Sequence, residues 1–408
     1  MQLVEQHCIN KSDSRYAVID VAAFASKNLY NAANYELRPS FIHTGRYLRY
    51  EEVHHRMKSH QAYKALPAKV SQQVLRLLDK NWQGFFAALE AWKTCPEKFL
   101  GRPKLPKYKD KINGRNVLVY TIQAISKRGL KRGIIQPSGL PIEVQTKQQD
   151  IAQVRIVPRS GFYVVEVVYE QTQVQADVNP NLYAGIDIGL NNLATLTSNK
   201  SGFVPRIVNG RPIKSINQYY NKERARRQTI LSTENRFISH RLDRLTNKRT
   251  RKIMHYLHGA SRKIIDLLVD EGIGTLVIGK NDCWKQEINL GKRNNQNFVA
   301  IPHARFIDLL TYKAKLVGIQ VIVTEESYTS KCSFLDKEDI KKHEIYQGKR
   351  IKRGLFRSAS GKYINADVNG SLNIIRKVAP KSFEGVEDCV VNPVRLATSV
   401  QTQTSSIR

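Results

Sequence analysis

The chain is poor in cysteine and in acid, and it has no long apolar run. Each shortage removes a class of protein. Five of its 408 residues are cysteine: Cys8, Cys95, Cys283, Cys332 and Cys389. They are odd in number, widely spaced and form no Cys-x-x-Cys pair, so neither a disulfide framework nor a zinc ribbon is readable. A reducing cytoplasm is the expected compartment. No run of about 18 apolar residues is present, so no bilayer span is expected. The opening segment MQLVEQHCINKSDSRY lacks the apolar stretch of a secretory signal. The acid shortage is the most informative. Against 66 Lys and Arg stand 35 Asp and Glu, a net charge of +31. Such an excess repels itself in a compact fold and calls for a polyanion. With membrane features missing, nucleic acid is the expected partner.

What is there falls into stretches of different period. Residues 1–45 mix short apolar runs with NLYNAANY, and RYEEVHHRMKSHQAYKA reads as helical. In PAKVSQQVLRLLDKNWQGFFAALEAW, Val70, Val74, Leu77, Leu78, Phe85, Leu89 and Trp92 recur at helical steps behind Pro67. That stripe is core packing. GRPKLPKYKDKINGR alternates Pro, Gly and Lys and reads as an extended basic loop, either a solvated linker or a phosphate contact. Residues 116–172 are short β-branched runs separated by Gly or Pro, with a hairpin in VPRSGFYVVEVVYE. From 183 onward the pattern is α/β. Two strands flank Asp187, RIVNGRPIKSI offers a third, and a basic helical stretch covers about 215–270. Then come the strand GTLVIGK, a basic loop, the helix PHARFIDLLTYKAKLVG, the strand IQVIVTEES, an insertion and the helix DVNGSLNIIRKV.

Three places in this half carry acids. Asp187 lies among Ala184, Ile186, Ile188 and Leu190, where an ionised carboxylate is costly without a compensating charge. Glu325 and Glu326 end a strand, and Asp367 opens the last helix, where an Asp also serves as an ordinary N-cap. The element order is that of an RNase H-like fold, in which groups at strand ends converge with one on the closing helix. Converging carboxylates need a cation, and oxygen donors suit Mg²⁺ or Mn²⁺. Two such ions about 4 Å apart serve phosphodiester cleavage.

At this point GIDIGLNNLAT, EESYTSK and INADVNGSLNI resemble the nuclease motifs of TnpB proteins, transposon-encoded RNA-guided DNA nucleases ancestral to type V CRISPR effectors. NLYNAANY, ALPAKVSQQVLRLLDKNW and GRPKLPKYKDK resemble that family's N-terminal half, so the likeness runs along essentially the whole chain. It implies a multidomain α+β protein: a wedge-like β-barrel with an inserted helical recognition domain, followed by an RNase H-like (RuvC) α/β nuclease domain. On this chain 1–45 would hold the first part of the barrel and the entry to the recognition helices, 46–115 the recognition helices and 116–180 the rest of the barrel. The nuclease domain would be 181–331, with a zinc-finger-like insertion at 332–362, the last RuvC helix at 363–380 and a tail at 381–408. The resemblance further implies a bacterial or archaeal protein near the nucleoid, a transposon-derived guide RNA, a double-stranded DNA target beside a short flanking motif, and a metal-dependent endonuclease; the oligomeric state stays open, with a monomer expected. Base pairing would read the sequence while the protein reads backbone and shape.

Two departures stand out. Relatives carry the second nuclease acid at the end of the strand that here reads TLVIGKND, with Gly279 at that place. Strand IQVIVTEES would be its parallel neighbour, about 4.8 Å away, so Glu325 or Glu326 could substitute. Alternation turns one of the two inward, and Glu326 is preferred; Asp282 is the weaker candidate. The expected metal site is therefore Asp187, Glu326 and Asp367 with two Mg²⁺, Glu325 being the alternative third acid. Failing that substitution, the chain would be a nuclease-inactive, RNA-guided DNA-binding repressor. A strand-joining transposase is a third, less favoured reading. Second, relatives often hold zinc with four cysteines in the insertion. Here Cys332 stands alone, so no zinc is expected, and residues 349–362 should form a basic hairpin instead. The loop WKQEINLGKRNNQNF offers amides, bases, Trp284 and Phe298, either to nucleic acid or to solvent.

Overall fold

A computed structural model describes residues 1–281, 299–385 and 390–397. Asp282, Cys283, Cys389 and the loop from Trp284 to Phe298 lie outside the described residues. The chain divides after Gln171 into two compact units.

The first unit runs β1 (Gln2–Asn10), α1 (Arg15–Thr44), α2 (Tyr50–Met57), α3 (Gln61–Lys64) and α4 (Ala68–Thr94). It continues through β2 (Leu118–Thr121), α5 (Lys127–Lys131), β3 (Ile134–Ile135), β4 (Val144–Gln145), β5 (Ile151–Arg159) and β6 (Phe162–Glu170). Strands β1-β6-β5-β2 form one antiparallel sheet, and β3 pairs with β4 separately. The expected hairpin is β5–β6, turning at Gly161 with φ 81°. Strand β1, in the stretch expected to open the β-structure, pairs with β6 along its whole length. Pro67 caps α4, whose buried side is Val70, Ser71, Val74, Leu75, Leu78 and Trp82.

Helix α1, 30 residues long, lies in the stretch expected to lead into the recognition helices, though its residues show only short apolar runs. Its buried side explains why its helical period is hard to read. It includes Ser26, Lys27 and Asn34 between Ile19, Ala23, Leu29, Ala33 and Leu37, so polar residues interrupt the apolar stripe.

The second unit contains β7 (Asn179–Asp187), β8 (Asn192–Ser198), β9 (Arg206–Asn209), α6 (Arg211–Thr233), α7 (His240–Asp270) and β10 (Ile273–Gly279). After these come α8 (His303–Leu316), β11 (Gln320–Thr324), β12 (Lys349–Lys352), β13 (Leu355–Arg357), β14 (Tyr363–Asn365), α9 (Ala366–Val378) and β15 (Val394–Arg395). The six-stranded sheet has the order β11-β10-β7-β8-β9-β15, with β11, β10 and β7 parallel. The single helical stretch expected over 215–270 is two helices. They part at Asn235, which has φ 51°, and Ser239 restarts the second by accepting from the Leu242 N–H. The buried side of α7 carries Ile253, Leu257, Ala260, Ile264 and Leu268 onto the sheet core.

Two small residues let α9 lie directly on the sheet. A Cβ on Gly185 would collide with the Ser371 carbonyl oxygen and with Ile375. The Ser371 hydroxyl bonds the carbonyls of Gly185 at 2.8 Å and Thr195 at 3.0 Å. The insertion forms a three-stranded sheet, β12-β13-β14, so the expected basic hairpin carries a third strand. Among the described residues no helix is long and apolar enough to cross a membrane.

Candidate active site

Parallel pairing sets the site. β7 ends at Asp187 and β10 ends at Gly279, which pairs with Thr324 at the end of β11. Ile278 pairs with Ile186, so Asp187, Gly279 and Thr324 stand level along one carboxyl edge. Helix α9 begins against that edge and supplies Asp367.

Asp367 is not the helix cap. Asn365 is: its Oδ1 accepts from the N–H groups of Asp367 at 3.0 Å and Val368 at 3.2 Å. The Asp367 carboxylate is thereby left for other work. Asn192 donates to its Oδ2 at 2.7 Å, and an Arg350 guanidinium nitrogen lies 3.5 Å from its Oδ1. A Cβ on Gly370, one turn along α9, would stand 3.1 Å from Asp187 Oδ2, so this glycine makes room for the acid.

Glu326 sits over Gly279. A Cβ there would lie 2.9 Å from Glu326 Oε2 and 3.2 Å from its Cβ. Asn281 brackets the residue, donating to Glu326 Oε1 at 3.3 Å and accepting from its backbone N–H at 3.1 Å. Glu325 turns the other way. Its side chain is 67% exposed, and its carboxylate is 3.7 Å from the Lys377 ammonium.

The electrostatics bind these acids into one group. Asp187 opens to a cleft, but protein surrounds it closely. Burial first, then the charges of Asp367 and Glu326, push its carboxyl up to about 8, with Arg350 opposing. Burial also pushes Glu326 up, against the pull of Lys377. The cleft has a volume of about 310 Å³; Asp187, Asp367, Thr195, Arg211, Arg350 and Arg353 line it. The Thr195 hydroxyl, directly across the strand pair from Asp187, is buried and has no hydrogen-bond partner among the described residues. Among the described residues no three His, Cys, Asp or Glu side chains already stand close enough to hold a metal ion. What the fold assembles is two acids on one cleft and a third over Gly279.

Arg350 and Asn192 were not singled out from the sequence. Arg350 arrives on β12 of the insertion, a place that only the basic character of GKRIKRG hinted at. The insertion is held to α9 by side chains. Asn369 accepts from the Phe334 N–H and donates to the Cys332 carbonyl, while Asn373 donates to the carbonyls of Thr329 and Cys332. Buried Glu338 accepts from the N–H groups of Ser333 at 2.7 Å and Gln347 at 2.9 Å. The Cys332 thiol is buried, and burial raises its pKa.

Comparison with known proteins bears on the family and the fold. Residues 166–284 match a family described as a probable transposase, OrfB_IS605, and residues 303–374 match the TNB domain of Cas12f1-like proteins. A TnpB-like protein, ORF457, from Acidianus two-tailed virus is 24% identical over 400 residues, spanning 86% of this chain and 81% of that protein. The CRISPR-associated endodeoxyribonuclease Cas12f2 of a Micrarchaeota archaeon is 25% identical over 236 residues, 55% of this chain and 41% of that protein. Among solved structures, a Cas12f1–sgRNA–target DNA complex superposes with a TM-score of 0.55 at 16% identity, covering 87% of this chain and 82% of that one. The mini-RNA-guided endonuclease CRISPR-Cas phi3 gives 0.50 at 9% identity over 97% and 94%. The family matches cover the second half of the chain, and the two solved structures share its mixed α/β fold. Together the matches support a TnpB-family protein, the resemblance that the sequence motifs carry.

Proposed function

We propose that the chain is an RNA-guided, metal-dependent DNA endonuclease of a transposon, cutting double-stranded DNA beside a short flanking motif. On this reading the first unit is the wedge-like barrel with its recognition helices, and the second is the RuvC nuclease with its insertion. The observation that carries it is geometric: Asp187 and Asp367 line one cleft, and Glu326 stands over Gly279 at the same sheet edge, in a chain of net charge +31. A group of acids this costly is stable as a charged set only around a cation. The donors fit a hard divalent ion in kind: all are carboxylate oxygens, with the buried Thr195 hydroxyl beside them.

Asp187, Asp367 and Glu326 would hold Mg²⁺, which supplies activation of water and stabilisation of the leaving oxygen. The chain's own groups do the rest. Asn192 fixes the Asp367 carboxylate, and Asn281 fixes Glu326. Arg350, 50% exposed at the cleft, has a planar fork suited to a phosphate and sits beside Arg211 and Arg353. These cations would seat the scissile backbone, while Gly370 keeps the floor open to Asp187. Glu325, paired outward with Lys377, has no part in the chemistry.

Incubating the chain with its co-purified RNA and a matching DNA duplex tests the reading. Guided double-strand breaks that require Mg²⁺ are expected. Guided binding without breaks would instead support the inactive-repressor alternative, and joining of transposon ends would support a transposase.

A further inference from the structure

The basic segment between Gly101 and Arg115 has no regular secondary structure, yet its backbone is fastened along a helix. Lys27, Asn31, Asn34 and Arg38 follow one another on α1 at steps of four, three and four, so they share one face. Each of the four bonds the segment's main chain. The Lys27 ammonium donates to the Lys111 carbonyl at 2.7 Å. Asn31 clips Lys109 twice, donating to its carbonyl and accepting from its N–H, both at 2.9 Å. Asn34 and Arg38 both donate to the Pro106 carbonyl, at 3.1 and 2.7 Å. Trp82 of α4 holds Asn34 in place by donating to its Oδ1 at 3.1 Å.

This is an expensive way to hold a linker. Lys27 is 2% exposed, and lysine is seldom buried without a carboxylate partner. The return is a strap whose side chains face in known directions. Leu105 packs against the core, and Lys109 lies over the Tyr30 ring. Arg102, Lys104, Lys107 and Lys111 are exposed, and none of them forms an ion pair among the described residues. The one acid of the strap, Asp110, is engaged by the backbone N–H groups of Ile112 and Asn113. Tyr108, 44% exposed, presents its ring under the Arg38 guanidinium.

We propose that this strap is a preformed phosphate-backbone site, in which Arg102, Lys104, Lys107 and Lys111 bind backbone phosphates and the α1 stripe fixes the strap's main chain before the ligand arrives. The cost of ordering a flexible basic loop is met in folding, so it does not weaken binding. The inference rests on the reading of the chain as a nucleic-acid protein, but it concerns binding and stands apart from the nuclease site. The ligand chemistry is a sugar–phosphate backbone. Guide RNA and target duplex both offer it, and the experiment separates them.

The test uses the full chain stripped of nucleic acid, in chelator so that nothing is cut. Affinity is measured across a salt series for two probes, the co-purified RNA and a random-sequence DNA duplex. The triple variant Lys104→Ala, Lys107→Ala, Lys111→Ala should flatten the dependence of log affinity on log salt by about 2–3 for the source that lies on the strap. It should leave the other probe's slope unchanged. Asn31→Ala with Asn34→Ala should weaken the same probe about tenfold with its slope intact, and should speed hydrogen exchange at the Lys109 amide. Unchanged slopes for both probes in the triple variant would overturn the site. The triple variant changes only exposed side chains, so this arm survives if the asparagine variant fails to fold. Full affinity in a folded asparagine variant would overturn the role of the stripe. A parent chain that binds neither probe would overturn the nucleic-acid reading itself.

Discussion

Glu326 occupies the space beside Gly279 in which a side chain at position 279 would begin. The Cβ that glycine lacks would lie 2.9 Å from the Glu326 carboxylate and 2.6 Å from Ile374 Cδ1. A side chain at 279 would have to push aside the ends of Ile374 and Glu326. On the proposed function, the missing acid of the β10 strand and the inward-turned glutamate after β11 are one change seen from two sides.

That crowding gives the first expectation. Gly279→Ala should overpack the Ile374 and Glu326 contact and cost about 1–3 kcal/mol in thermal or denaturant unfolding. Gly279→Glu alone should lose cleavage, because two carboxylates then compete for one space. Gly279→Glu combined with Glu326→Ala should cleave better than Gly279→Glu alone. Equal activity of the single and double variants would count against a shared position.

Asp187 should show the conflict between function and stability. Burial and two neighbouring carboxylates push its carboxyl up to about 8, so without metal it strains the fold. Asp187→Asn should therefore raise the melting temperature in chelator, by about 2–4 °C for each kcal/mol recovered. Added Mg²⁺ should stabilise the parent and leave the variant unmoved. A lower melting temperature for Asp187→Asn in chelator would show that the acid is not strained.

The insertion should depend on Glu338 and not on zinc. Its carboxylate, in a residue 3% exposed, ties Ser333 to Gln347, and Arg376 donates to its carbonyl. Glu338→Gln turns an NH₂ toward one of two N–H donors, so a loss of about 1–3 kcal/mol is expected. Hydrogen exchange over 333–347 reads the loss directly. A zinc chelator should leave exchange in the parent unchanged, and loosening of the insertion by chelator would refute the assignment.

Lys313 should shape the alkaline side of stability. Its ammonium bonds the His258 carbonyl and the Ser261 hydroxyl, both at 2.7 Å, inside the packing of α7 on α8. Burial, then the charge of Arg262, pushes its pKa down to about 8. The unfolded chain releases that proton near 10.4. Between those values the unfolded state binds more protons, so stability rises with pH, by up to about 1.4 kcal/mol per unit. The rise should be present in the parent and missing from Lys313→Met when their unfolding free energies are compared from pH 7 to 10.5.

Much of the second unit was legible because its signals are local. Apolar flanks marked Asp187, and the element order foretold the parallel neighbours β10 and β11. Alternation along TEES anticipated the opposite facings of Glu325 and Glu326. Features that depend on distant contacts were not legible. Nothing near Arg350 or Asn192 shows that both meet Asp367, 17 and 175 residues away. Asn365 was equally hidden, since Asp and Asn are comparable caps and only the geometry shows which one is used. The period of helix α1 is hard to read because the face it buries carries Lys27 and Asn34, residues whose partners lie more than 70 positions on.

Guided cleavage of a DNA duplex by Glu326→Gln and Glu325→Gln, each loaded with the co-purified RNA in Mg²⁺, tests the central claim most directly. Glu326→Gln should lose cleavage by about a hundredfold or more while keeping guided binding. Glu325→Gln should cut like the parent. Parental cleavage by Glu326→Gln would contradict the account.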